Sequence, residues 1–147
     1  WDPAYPPYTQ TRPVEERHSL IFAALRAAGR CVFSGAMIPW GDVFIPLYKM
    51  AVFLDTPTEI RLRRLREREL RELGDRILPG GDLHQHHLKF LRYAQAYDTA
   101  GLDMRSRALH EQWIEKAPCP VLRLNGADWP EDNASKVCDF LVSIGSM

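Results

Sequence analysis

Three short apolar runs limit what this chain can fold into: Cys31-Val32-Phe33, Met50-Ala51-Val52-Phe53-Leu54 and Val121-Leu122-Arg123-Leu124. Short continuous runs of this kind suit strands buried on both faces. Helical patterns precede the first run and separate the second from the third. Apolar strands divided by helices predict an α/β domain: a parallel sheet with helices on both faces.

The helices carry their own punctuation. Pro13 opens the first, Val14, Ile21, Leu25 and Ala28 form its apolar stripe, and Gly29 ends it. Thr56-Pro57-Thr58-Glu59 marks the second start, with Thr56 as cap, Pro57 at the first position and Glu59 closing a capping box. That helix runs to Leu73 and stops at Gly74. After Pro79-Gly80-Gly81, Asp82 is placed to cap a third helix with a stripe of Leu83, His87, Phe90, Leu91, Ala94 and Tyr97. A fourth is expected from Asp103 to Lys116. A fifth opens at Pro130, with Val137, Phe140, Leu141 and Ile144 on one face. Residues 1 to 12, rich in Pro and aromatics, read as an extended loop.

Composition narrows the class. The 147 residues are sized for one domain, and a hydrophobic content of 46% can supply its core. Lys plus Arg equals Asp plus Glu at 19 each, so no global basic field favours nucleic acid. No apolar stretch reaches the roughly 18–20 residues of a membrane span, and no signal peptide is visible. A membrane partner is therefore not expected, and the expected compartment is cytoplasmic. The odd count of three cysteines fits a reducing compartment, with Cys31 and Cys119 expected as buried small hydrophobes. The first residue is Trp1, which reads as processing or as part of a longer natural sequence.

Candidate chemistry lies first in the arginines. Arg66 and Arg68 sit near the end of the charged second helix, Arg76 follows it, and Arg105 and Arg107 lie in Met-Arg-Ser-Arg. Guanidinium groups bind phosphate oxygens bidentately, and several converging from two helices can hold a transferring phosphoryl group. The alternative is a solvated face laced by Glu–Arg pairs of about 0.2–0.5 kcal/mol each; Arg61, Arg63, Arg64 and Arg71 are read that way. Arg105 has no acidic residue one helical turn away, whereas Arg107 has Asp103 and Glu111 four residues to either side. Ser34-Gly35 and Trp40-Gly41-Asp42 form a polar loop after a strand, where open α/β sheets bind ligands. There Trp40 can stack on a ring and Asp42 can meet a substrate hydroxyl. His84-Gln85-His86-His87 lacks recognised metal-ligand spacing, and no metal site is expected. Neither Gly-x-x-x-x-Gly-Lys-Ser/Thr nor a Gly-x-Ser-x-Gly elbow occurs.

Several stretches together resemble a bacterial family of small adenylate-kinase-like P-loop NTPases and kinases. They are Pro6 to Arg17, Val-Phe-Ser-Gly (32–35), Trp-Gly-Asp (40–42), Val-Phe-Leu-Asp-Thr-Pro-Thr-Glu-Ile-Arg-Leu (52–62) and Arg-Ile-Leu-Pro-Gly-Gly-Asp (76–82). Tyr97-Asp98, Leu-Asp-Met-Arg-Ser-Arg (102–107) and Cys-Pro-Val-Leu-Arg-Leu-Asn-Gly (119–126) complete the set. The resemblance implies one P-loop kinase-like domain over 1–147 that lacks its first strand and phosphate loop. A helical lid-like region would span 57–117. It implies ATP and Mg²⁺ as cofactors of the intact protein, and phosphoryl transfer to a small nucleoside- or nucleotide-like acceptor. Arg66 and Arg68 would line one side of the lid, with Arg105 and Arg107 opposite. Asn125, Gly126 and Arg76 would border the nucleotide, and Trp40, Asp42, Ser34 and Gly35 the acceptor. A different class stays open: a non-catalytic, pseudo-kinase-like interaction module without a working nucleotide site. The missing first strand would lie between the 31–34 and 50–54 runs. Its absence predicts that these runs pair directly, that a second copy associates through the open strand edges, or that an upstream segment supplies the strand.

Overall fold

The structure is a computed structural model and describes residues 10–38 and 40–145. Most of the expected loop over 1–12 falls outside the described residues. The chain divides into two compact units, residues 1–47 and 48–147.

In the first unit, helix α1 (Val14–Ala28) begins after Pro13 and ends at Gly29, as the punctuation implies. Val14, Ile21 and Leu25 of the expected stripe are half-buried, and Ala28 is exposed. Phe44, only 1% exposed, is the large buried side chain among the described residues of this unit. It lies in a short 3-10 helix, Asp42–Leu47. Phe22 meets it at 4.9 Å between ring centroids, and His18 meets it edge-on at 5.4 Å. The anchor is thus an aromatic pair one helical turn apart. The run Cys31-Val32-Phe33 is not a strand. Val32 is 96% exposed, and Cys31 is exposed as well. An isolated apolar run with no ladder partner leaves its backbone donors and acceptors to water. Neither the expected first strand nor its pairing with the 50–54 run is formed, and Cys31 is not a core residue.

The second unit is α/β. Strand β1 (Ala51–Asp55) pairs with strand β2 (Val121–Asn125) in parallel, from Ala51 beside Val121 to Asp55 beside Asn125. These are the only two strands among the described residues. Between them lie helices α2 (Thr58–Leu73), α3 (His84–Gln95) and α4 (Arg107–Glu115), and α5 (Pro130–Ser143) follows β2. A parallel pair needs such a long crossover. Gly74, at φ 58°, closes α2 in a left-handed conformation that side chains other than glycine rarely adopt.

Capping corrects two details. Pro57, not Thr56, holds the N-cap position of α2, and no side chain caps it. Asp82 does not cap α3; its carboxylate takes two hydrogen bonds from Arg76, at 3.0 and 2.7 Å. The core packs Leu62 and Leu65 of α2 against Leu91 and Ala94 of α3. His87, on the same stripe of α3, is buried and bonds Glu69 at 2.5 Å. That contact gives the one buried histidine of the cluster a structural partner.

Candidate functional site

Register decides where the site lies. Asp55 and Asn125 are the last residues of two paired parallel strands. They stand together at the carboxyl edge, where open α/β sheets carry their ligands. Alternation then places Phe53 and Asp55 of β1 on one face with Arg123 and Asn125 of β2. These four, with Pro57, Arg107 and Leu124, line an open depression of about 430 Å³. Helix α4 runs beside this face. His110 meets Phe53 edge-on at 5.9 Å, and Glu111 takes two hydrogen bonds from Arg123, at 2.8 and 2.5 Å. Arg123 in turn lies 5.5 Å from the Phe53 ring.

Arg107, the first residue of α4, is the centre of the site. Its Nη1 and Nη2 donate to the two oxygens of Asp55 at 2.7 Å each. Its Nε and Nη2 donate to Asp98 Oδ1 at 3.0 and 2.9 Å. A cation at a helix N-terminus opposes the helix dipole, and α4 has no acidic residue in its first turn. The two carboxylates, contributed by other elements, compensate. Ser106, fully buried, caps α4 by accepting from the Leu109 amide at 3.0 Å and donates to the Gly101 carbonyl at 2.6 Å.

Asp98 is the anchor of the network. Thr58 donates to it, Arg61 Nη2 donates at 2.7 Å, and Arg107 binds its other oxygen. Burial pushes its carboxyl up, but these three donors outweigh burial and hold it at about 2. The Asp55 hydrogen bonds, opposed by burial and reinforced by Asp98, raise the Arg107 guanidinium above its usual value. Tyr97 lies between the two arginines, 4.7 Å from the Arg61 guanidinium and 6.0 Å from that of Arg107. Burial raises the Tyr97 phenol and lowers the His110 imidazole, the latter with help from the charge of Arg105. The Tyr97 hydroxyl and His110 Nδ1 share a 2.7 Å hydrogen bond.

The remaining expected residues scatter. Arg105 is exposed in the loop before α4. Arg66 and Arg68 are exposed on α2, with no hydrogen bond or ion pair to the described residues. Arg76 is spent on Asp82. Asn125 and Gly126 do lie at the carboxyl edge. Asn125 Oδ1 accepts from Ala127 N at 2.9 Å, and Gly126 N donates to Asp55 O at 2.5 Å. A side chain at 126 would overlap the Thr56 hydroxyl, so only glycine lets the two strand ends approach this closely. Trp40, Asp42, Ser34 and Gly35 belong to the first unit. The Trp40 ring is taken by Arg17 at 4.5 Å and His18 at 6.2 Å, and its carbonyl by His18 Nε2 at 2.7 Å. Asp42, Ser34 and Gly35 are exposed.

Sequence reasoning passed over Asp55, Asp98 and Arg61 as site residues. Arg61 is no solvated arginine: besides Asp98 it donates to Thr56 O at 2.8 Å and Thr58 Oγ1 at 3.1 Å. Arg64 donates to Gly126 O at 2.6 Å. Arg61, Arg64 and Arg68 follow one another at helical spacing on one face of α2, a signal readable in the sequence had it been separated from the surrounding Glu–Arg pattern.

The chain is 38% identical over 136 residues to the uncharacterized protein YqaC of Bacillus subtilis (strain 168), a match that spans 92% of this chain and 76% of that protein. No family model matches, and no solved structure matches.

Proposed function

This chain belongs to the family of Bacillus subtilis YqaC, and we propose that the family's intact members carry out ATP-dependent phosphoryl transfer to a small nucleoside- or nucleotide-like acceptor on an adenylate-kinase-like P-loop fold. The observation that carries this reading is Arg107. It is a planar, bidentate cation at the carboxyl edge of a parallel sheet, facing a depression beside a glycine turn. Arg61, Arg64 and Arg68 on one face of α2 supply further positive charge for phosphate oxygens. In this role the arginines position and neutralise phosphate charge, with no covalent intermediate.

The residues present fit a phosphate group but not a whole nucleotide–metal complex. The sequence holds no Gly-x-x-x-x-Gly-Lys-Ser/Thr. No group of three His, Cys, Asp or Glu among the described residues could hold a metal ion. ATP and Mg²⁺ would therefore need protein groups other than these. That same observation favours the second reading, a non-catalytic pseudo-kinase-like module.

Full-length YqaC and this chain, each titrated with ATP and Mg²⁺ and assayed on a nucleoside and nucleotide panel, separate the two. Transfer by YqaC that falls ten- to a hundredfold in the variant matching Arg107→Ala supports the transferase. ATP binding by neither protein, with no transfer, leaves the module. Self-association belongs to the same proposal, because each strand of the two-stranded sheet keeps one edge without a ladder partner among the described residues. Size determination in solution reads it directly: a concentration-independent monomer removes it. No helix of the described residues is long and apolar enough to cross a membrane.

A further inference from the structure

We infer that Asp55 occupies the phosphate seat of this site, and that an oxyanion binds Arg107 by displacing the Asp55 carboxylate. The inference rests on the phosphate-handling reading proposed above and adds how that seat is held and released.

The two carboxylates on Arg107 are unequal. Asp98 is held by three side chains and its side chain is 25% exposed. The Asp55 side chain is 41% exposed, and among the described residues Arg107 is its only side-chain hydrogen-bond partner. Asp98 takes the Nε–Nη2 edge of the guanidinium, and Asp55 takes the Nη1–Nη2 end. Asp98 is shared with Arg61, so Asp98 and Asp55 together balance two guanidiniums, and an oxyanion that replaces Asp55 keeps that balance. Asp55 is the outer one, and both Asp55 and Arg107 line the depression. A phosphate presents the same pair of acceptor oxygens as a carboxylate and meets the same fork. Exchange at the outer end therefore leaves the Arg107–Asp98–Arg61 arrangement intact. The freed Asp55 stays fixed at the end of β1 by its main-chain bond to Gly126.

Inorganic phosphate titrated into the full chain at pH 7 and low ionic strength tests this. Asp55→Asn and Asp55→Ser remove the competitor and are expected to tighten phosphate binding by roughly three- to tenfold. Asp128→Asn, which removes one charge from an exposed pair with Lys136, is expected to leave affinity unchanged. Arg107→Lys in the Asp55→Asn background is expected to abolish the gain, because an ammonium lacks the fork. In the wild-type chain phosphate should shift the carboxyl carbon resonance of Asp55 and not that of Asp98, a readout that needs no variant to fold. Equal gains for Asp55→Asn and Asp128→Asn would mean net charge alone, and would overturn the exchange. So would weaker binding on loss of Asp55, an unmoved Asp55 resonance, or no phosphate binding by any variant. Exchange without ATP-dependent transfer by YqaC sinks the transferase reading alone; transfer with Asp55 unmoved sinks only this inference.

Discussion

Arg63 and Arg64 are neighbours in a run of arginines, yet the structure gives them different work. Arg63 lies 3.9 Å from Glu67 on the exposed face of α2. Arg64 crosses to the turn after β2 and holds the Gly126 carbonyl at 2.6 Å. The first is a solvated helix pair, and the second ties a helix to the end of a strand. Arg63→Ala should change stability by less than about 0.5 kcal/mol, and Arg64→Ala should cost about 0.5–1.5 kcal/mol. Urea denaturation of both variants checks the contrast, and equal effects would show that the Arg64 contact is not formed in solution. From sequence alone, both read as silent. The Glu–Arg alternation that makes α2 legible as a helix also conceals which arginines point inward, because spacing reports a face and not its neighbour. Arg107 has Asp103 and Glu111 one turn away in sequence, yet the acids that hold it, Asp55 and Asp98, come from 52 and 9 residues away.

At the scale of elements, punctuation was legible and tertiary pairing was not. Gly29, Gly74 and Pro130 mark helix ends and a helix start where expected, because each acts through its own backbone. The second and third apolar runs became strands; the first did not, because a strand exists only with a neighbour. Helix α4 starts four residues later than its pattern suggested, at the point where Ser106 can cap it. That cap decides where Arg107 stands, since the next residue begins the helix. Ser106→Ala removes the bond to the Leu109 amide and the donor to the carbonyl of Gly101, an exposed residue. A lost cap costs about 1 kcal/mol, and a lost hydrogen bond adds about 0.5–1.5 kcal/mol. Thermal and urea unfolding followed by circular dichroism should show a loss of about 1–3 kcal/mol. An unchanged midpoint would mean that α4 starts elsewhere.

At the scale of the whole molecule, few apolar side chains are buried among the described residues. Among the described residues the buried apolar side chains are Phe44, Leu62, Ile77, Leu91, Ala94 and Leu124. So few leave the ion pairs at the sheet edge with a larger share of the stability than in a chain with a deep core. Asp98 is where that share becomes measurable. Its carboxyl sits at about 2 against an ordinary value of 3.8, because Thr58, Arg61 and Arg107 favour the charged form over the opposing effect of burial. A group whose value is lowered by folding contributes stability that is fully present above the unfolded value and is lost as pH falls through the folded one. The window is therefore about pH 4 down to about pH 2, and the contribution is about 2 kcal/mol at neutral pH. Wild-type stability, measured by urea denaturation across that window, should fall steeply. Asp98→Asn should be less stable at pH 7, because an amide leaves Arg61 and Arg107 with one carboxylate between them. Its deficit relative to wild type should shrink toward pH 2, where the wild-type carboxyl is itself becoming neutral. Parallel profiles for the two proteins from pH 7 to 2 would show that Asp98 does not anchor this edge, and the arginine arrangement built on it would have to be abandoned.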